Sequence, residues 1–508
     1  MKKVLAHFPL YLFLIFYIAV AFATYKTFPI ANGEEFRILR AKETLDHFFI
    51  GEFKEKLEQP VPNYFIYNLY PMVMVLLNPN FYYEWFHLFN LLFASIGFVA
   101  VYALAVNISK QVWVRAGVLT ALLLFPRFFG ELGINPVDMP FMVFYLLSIL
   151  AILKFGKNSA DHWSTLLIGV LFGITQGLRQ IGFGVYILLI ISDLYDYYNG
   201  QKQELKDLLK TKLLKYIYIF IIANFFMLIT WPNFAINIFK NYAWYLFIGS
   251  KFYLWDFGLL FFGNFLTNEQ RPWFYLPFFQ LITYPIYILL LFLPTPFIFK
   301  RLIKNKTYFM LSTALFFNYL LYFVLKPVLY DGIRHFLFLA PIIVLLAAVN
   351  LEMILSALKN KLIRFSIVGI IAINLLILTI YTIKEYPYHY PYFNKIAFAF
   401  GNPYKLFESD YSNTKYREAS EWIRDEYLKD ESVYSHSDLK SMLKIYACDN
   451  AFTLDYFSHK KFLSVIQKEK ADLIVCDYRN LKQSGYEGEI IKEFYLNGYD
   501  VLYVMKLK

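Results

Sequence analysis

PRFFGELGINPVD, residues 126–138, lies between apolar runs at 112–127 and 138–154, and how the backbone passes through it decides the fold. Pro136 and Pro140 flank Asp138, and Gly130 and Gly133 flank Glu131, so neither run continues across as one helix. The chain leaves one apolar run and enters the next within a short stretch, which crowds Arg127, Glu131 and Asp138 together. An ionisable side chain at membrane depth is costly, and a functional role is the default reading where one persists. The bland reading is an Arg–carboxylate pair that ties two helix ends. Two more stretches share this character: GEE at 33–35, beyond the first apolar run, and YDGIRH at 330–335, ahead of a late one.

Composition places the whole chain in a membrane. Of 508 residues, 58% are hydrophobic and only 17% charged, in runs too long for the buried helices of a soluble domain. At roughly 20 apolar residues per span, fewer where helices pack around a cavity, about eleven spans are expected. They fall near 4–25, 86–108, 112–127, 138–154, 163–179, 180–195, 214–231, 274–298, 307–325, 335–351 and 364–383. The first follows Lys2 and Lys3 without a small-residue cleavage pattern, so it is expected to be retained. Basic loops at 110–115, 154–157, 202–215, 300–306 and 359–364 alternate along this order. With positive loops inside, residues 26–85, 127–137, 232–273, 326–334 and everything past Lys384 lie outside, and the three polar stretches share one face. These orienting loops account for the formal net charge of +11, so no nucleic-acid partner is expected.

The expected fold is an α-helical polytopic membrane protein with a small C-terminal α/β domain: a transmembrane domain over 1–384 and a soluble extracytoplasmic domain over 385–508. FRILRAKETLDHFF, 36–49, segregates apolar and charged residues at helical spacing, as a helix along the membrane surface would. The aromatic-rich stretch from Lys240 to Phe262 suits the headgroup zone. In the tail, 471–475 and 500–504 alternate like strands, while 414–427 and 462–470 look helical. Cys448 and Cys476 lack CxxC spacing and define no metal site, and a disulfide between them stays open.

Candidate chemistry follows from residue type. Glu34 and Glu35 are adjacent carboxylates, one of which is driven towards protonation, and a carboxylate at a cavity mouth can serve as general base. An ordinary solvated pair is the alternative. Arg127 presents a planar fork suited to phosphate, and Asp138 can orient it, bind a sugar hydroxyl or act as a second acid. Arg179, in GLRQIGFG at 177–184, is carried by a tight hairpin towards the outer cavity or snorkels to the interface. Lys326, Tyr330, Asp331, Arg334 and His335 share one short loop in which three can be cationic, although mixed-charge loops are common without function.

These motifs, in this order, resemble the GT-C-fold glycosyltransferases, in particular the family 39 protein O-mannosyltransferases and the bacterial lipid-A aminoarabinose transferases. The likeness is carried by Glu34-Glu35, PRFFGELGINPVD, PWFYLP at 272–277, YDGIRHFLFLAP at 330–341, YPYHYPYFN at 386–394 and FESDYSNTKYREASEW at 407–422. It implies an inverting transfer of a sugar from a polyprenyl-phosphate donor to a protein, lipid or glycan acceptor, by a protein of the bacterial cytoplasmic membrane. The family has Asp then Glu at the acidic pair, so Glu34 departs from the pattern and the choice of base between Glu34 and Glu35 stays open. Asp138 matches a second acidic position, with Arg127 and Asn135 in the same motif. Mannosyltransferases of this group imply no cofactor, and since other GT-C enzymes use a divalent metal, that point stays open. Two other classes remain: a transporter or flippase of a lipid-linked substrate, which requires essential groups on both faces, and a non-catalytic subunit that keeps the fold.

Overall fold

The computed structural model describes residues 7–31, 33–50, 69–80, 82–156, 161–200, 205–230, 240, 242, 258–410, 413–430 and 442–507. In hydrocarbon each backbone N–H and C=O must bond within its own segment, so the long apolar runs become helices. In chain order these are α1 (Phe8–Thr24), α2 (Glu34–Ile50), α3 (Tyr83–Ile108), α4 (Val112–Leu123), α5 (Pro126–Ile134), α6 (Asp138–Phe155) and α7 (His162–Leu178). There follow α8 (Gln180–Gly200, begun by a 3-10 turn), α9 (Leu205–Thr230), α10 (Lys306–Leu325), α11 (Leu339–Ala357) and α12 (Lys361–Lys384). Among the described residues, α3, α6, α8, α10, α11 and α12 are long and apolar enough to cross a membrane; α4 and α5 reach that length only as a pair, bent by 67° at the break between them.

Fewer spans pass than the eleven expected: α1 and α7 are 17 residues each, α9 begins with charged turns, and proline explains the other departures. The run at 274–298 is no single helix: it breaks into Tyr275–Thr283, Ile286–Phe292 and Thr295–Leu302, with Pro285 and Pro294 at the N-caps of the second and third. The run at 112–127 likewise ends at Leu123, ahead of Pro126. The stretch read as 36–49 does form helix α2, and Ile38, Ala41 and Leu45 bury one face of it in the core. Of the outer stretches, residues 51–68 and most of 232–257 lie outside the described residues. Helix α12 stands apart: only 6% of its apolar window is buried inside the protein.

The tail forms a five-stranded sheet in the order β4-β3-β5-β7-β6, from β3 (Lys444–Ala447), β4 (Leu463–Ser464), β5 (Leu473–Asp477), β6 (Gly488–Leu496) and β7 (Tyr499–Leu507). Strands β1 (Leu259–Phe261) and β2 (Asn264–Leu266) form a separate hairpin. The expected helix at 462–470 is not there. Leu463 and Val465 instead donate to Leu443 and Ile445, which zips the segment onto β3 as a parallel edge strand, followed by a 3-10 turn at Lys468–Lys470. Non-local pairing overrides local pattern here. Cys448 and Cys476 form a disulfide with Cα atoms 5.1 Å apart.

The tail is docked onto the membrane part through the segment that leads into α2. Helix α13 (Ala451–Ser458) and its cap bring Asn450 Nδ2 and Thr453 Oγ1 each to 3.0 Å from the Ile30 carbonyl. Arg417 donates to the carbonyls of Lys26 at 2.8 Å and Phe28 at 3.1 Å. The backbone immediately before Glu34 is therefore held from the tail side.

Candidate active site

Helix α2 begins at Glu34. Its carboxylate Oε2 accepts from the Ala31 backbone N–H at 3.1 Å, and His87 Nε2, reaching in from α3, stands 3.3 Å away. Glu34 is 2% exposed, and its Oε1 also lies 3.3 Å from His87 Nε2. The bland reading of a solvated pair thus fails for Glu34. Glu35, one residue on, turns away and is half-buried; burial, then the Asp455 carboxylate of α13, raises its proton affinity. The two acids face different surroundings, and only Glu34 enters the membrane-side core.

Asp138 is the first residue of α6, where the helix dipole favours a carboxylate. Arg179, in the extended link between α7 and α8, binds Oδ1, and Arg334 Nε lies 3.6 Å from Oδ2. The close hairpin at Arg179 requires Gly182, whose added Cβ would meet the Thr175 carbonyl at 2.5 Å. Arg37 joins this group from α2, three residues after Glu34 and so on the same helix face. Its side chain has no hydrogen bond or ion pair with a described residue. Burial, then Arg334 and Arg179 beside it, pull its pKa down, against the partial relief of Tyr330 and Asp138. Arg179 and Arg334 thus pair with Asp138, Arg334 is shared with Asp331 at 3.3 Å, and Arg37 stands near them without an ion pair to a described residue.

Other sequence candidates take different roles. Arg127 is fully buried: Nη2 is 3.1 Å from Asp331 Oδ1, and the guanidinium stacks over Tyr390 at 4.8 Å. In place of the expected contact with a donor phosphate, it ties α5 to the 330–335 loop, and its partner is Asp331 and not the nearby Glu131 or Asp138. Gly130 makes this possible, since an added Cβ would strike the Tyr390 backbone N at 2.5 Å. Asn135 bridges Glu131 at 2.7 Å and Asp138 at 2.9 Å through Nδ2, while its Oδ1 accepts from the Asp138 N–H at 2.8 Å. It positions acids and has no direction left for a ligand. Asp331, at φ 62° and wholly buried, takes Tyr390, Arg127 and Arg334, the last at 3.3 Å. Tyr330 lies under the Arg334 guanidinium at 4.9 Å and edge-on to His335 at 4.6 Å. Burial, then Arg179, Arg334 and Arg37, push the His335 pKa well down. Lys326 is exposed at the left-handed C-cap of α10, and no contact joins it to the cluster. Sequence reading missed Arg37 and His87; the helical spacing from Glu34 was the available signal for the first, and a lone histidine in an apolar run offered none for the second.

Among the described residues, no three His, Cys, Asp or Glu side chains group closely enough to hold a metal ion.

The helical bundle, the polar cluster at the broken helix ends and the docked tail sheet define a membrane protein of the GT-C fold. Among solved structures, the chain resembles the oligosaccharyltransferase AglB from Archaeoglobus fulgidus in complex with an inhibitory peptide and a dolichol-phosphate, with a TM-score of 0.53 at 10% identity over 98% of this chain and 74% of that one. AglB tethered with an acceptor peptide containing the NVT sequon gives a TM-score of 0.50 at 10% identity over the same shares. ArnT from Cupriavidus metallidurans bound to undecaprenyl phosphate aligns over 97% of both chains at 12% identity, with a TM-score of 0.49. No family model matches the chain, and no curated protein matches its sequence.

Proposed function

We propose that this protein is an inverting glycosyltransferase that moves a sugar, with mannose the first candidate, from a polyprenyl-phosphate donor to an acceptor on the extracytoplasmic face of a bacterial cytoplasmic membrane. The observation that carries the reading is the gathering of Arg179 and Arg334 on Asp138 and Asp331, with Arg37, unpaired among the described residues, beside them and the buried Glu34 one helical turn from Arg37. A lipid phosphate keeps its tail in the bilayer and presents its ester oxygen at the interface, where such a cluster can hold the leaving group. In the transfer, the acceptor oxygen attacks the anomeric carbon as its proton passes to the Glu34 carboxylate. The carbon–oxygen bond to phosphate breaks, and its electron pair leaves with the phosphate between the guanidinium groups. Asp138 then orients Arg179 and Arg334, and His87 fixes the Glu34 carboxylate. The AglB structure is a complex with a dolichol-phosphate, which agrees with such a donor here. Disulfides persist in oxidising compartments, so Cys448–Cys476 supports the outer placement of the tail.

The test incubates purified protein in nanodiscs with labelled polyprenyl-phosphate sugars and follows free polyprenyl phosphate. Glu34→Gln is expected to lower release by about 100-fold or more without loss of protein yield, while Glu35→Gln keeps most of it. Turnover is expected to persist in EDTA. If every donor is left intact, the transferase reading fails and transport or a subunit role replaces it.

A further inference from the structure

Arg334 projects from a turn that its own residues would not choose unaided. Asp331 and Gly332 sit side by side at φ 62° and 61°, and only the second lacks the Cβ that makes this region costly. Such a backbone persists where its surroundings over-determine it. Arg127 and Tyr390 hold the Asp331 side chain, but the two backbone N–H groups are held from elsewhere. The Asp331 N–H donates to Glu408 Oε2 at 2.8 Å, the Gly332 N–H donates to the Tyr275 hydroxyl at 3.1 Å, and that hydroxyl donates in turn to the same Glu408 oxygen. Glu408 is 2% exposed and Tyr275 fully buried, so the two N–H groups depend on this pair.

The pair is itself anchored away from the loop it holds. The Glu408 N–H donates to the Leu260 carbonyl of β1 at 3.1 Å, and Phe407 bridges Phe261. On the other side, the Arg334 N–H donates to the Asp331 carbonyl at 3.3 Å, while its Nη1 lies 3.3 Å from Asp331 Oδ2 and its Nε 3.6 Å from Asp138 Oδ2. A swing of the Asp331–Gly332 turn therefore moves Arg334 off Asp138. A phosphate binder gains from being set in place before its ligand arrives. We propose that Glu408, together with the Tyr275 hydroxyl, is a positioning residue for the leaving phosphate: it fixes the Asp331–Gly332 turn and so the place of Arg334. What the turn requires of Glu408 is an oxygen that accepts two bonds, not a negative charge. The consequence for turnover rests on the transferase reading above; the hold on Arg334 does not.

The probe is undecaprenyl phosphate, titrated into the full-length protein in detergent and followed by native mass spectrometry. Glu408→Met, which keeps the volume and removes the acceptor, is expected to weaken binding by about 10-fold, and Glu408→Gln, which keeps the acceptor, to stay within about threefold of the parent. In an Arg334→Ala background Glu408→Met should cost almost nothing further, because its effect passes through Arg334. Tyr275→Phe leaves the Gly332 N–H without its acceptor and should weaken binding by about threefold with the same dependence on Arg334, which keeps a readout if Glu408→Met does not fold. Thermal unfolding of each variant certifies its fold. The proposal is overturned if the parent binds no undecaprenyl phosphate, if whichever of Glu408→Met and Tyr275→Phe folds binds as the parent does, if Glu408→Gln loses as much as Glu408→Met, or if the loss persists undiminished without Arg334. Release of polyprenyl phosphate from labelled donors is followed on the same preparations. Binding that responds as expected, without release from any donor, removes the transferase and keeps the hold on Arg334; release with the donor KM unchanged in Glu408→Met removes the positioning role and keeps the transferase.

Discussion

One helical turn beyond Glu34, Arg37 adds a third guanidinium to Arg179 and Arg334, and no described residue forms an ion pair with it. A phosphate there would gain charge-assisted hydrogen bonds from a group already desolvated. Arg37→Ala is therefore expected to lower kcat/KM for the lipid donor by about 10- to 100-fold, through KM, at unchanged yield. Unaltered donor kinetics in this variant would put the anion elsewhere. Arg127 makes the opposite case. Its charge is spent on Asp331 in a site closed to solvent, and Arg127→Leu leaves the Oδ1 side of that buried carboxylate unpaired, with only Tyr390 and Arg334 on the other oxygen. Thermal unfolding should register a loss of about 3–5 kcal/mol, with yield falling before any kinetic change can be read. Sequence alone does not separate the two arginines. Arg127 sits in a motif dense with helix breakers and drew attention, while Arg37 lies in a stretch whose charges looked like the wet face of a surface helix. Chemical type is legible from sequence, but burial and partner are not.

At the scale of elements, what survives translation into structure is whatever depends on local chemistry. The long apolar runs become helices, and the 471–475 alternation becomes β5. What fails depends on remote pairing or on proline inside an apolar run, as at 462–470 and 274–298. Helix Tyr478–Ser484 adds an element with a titration of its own, because its N-cap Asp477 accepts from the Asn480 N–H at 2.7 Å. Burial raises the Asp477 pKa to about 7, with Asp449 and Asp410 adding to the rise and the Asn480 bond and Arg479 opposing it. In the unfolded chain an aspartate titrates near about 3.9. Between those two values the folded state holds a proton that the unfolded state has released, so stability declines as pH climbs from about 4 to 7 and levels off above. Asn caps a helix as well as Asp does and does not ionise. Asp477→Asn is thus expected to unfold at a higher temperature than the parent at pH 8 and at a similar one at pH 4, as followed by thermal melts across that range. A melt difference that does not vary with pH would remove the titration from Asp477.

At the scale of the molecule, one hydrophobic core runs from the helical bundle into the tail sheet, and the tail grips the backbone at Lys26, Phe28 and Ile30 just before Glu34. Membrane topology and chemistry are consequently inseparable: the side that holds the tail is the side on which Glu34 opens. Charge in the loops gave this sidedness from sequence, but the grip itself joins residues some 400 apart in the chain and had no local signature, as the separations of 389 and 420 for Arg417–Phe28 and Asn450–Ile30 show. A C-terminal fusion decides the matter. Alkaline phosphatase folds only where its disulfides can form, and a fluorescent protein of the ordinary kind matures only in the cytoplasm. With Lys508 outside, the phosphatase fusion is active and the fluorescent fusion dark in bacterial cells. The reverse pattern would put Glu34, Asp138 and the three arginines on the cytoplasmic side, where Cys448 and Cys476 would be kept reduced and a donor displayed on the outer leaflet would never reach them.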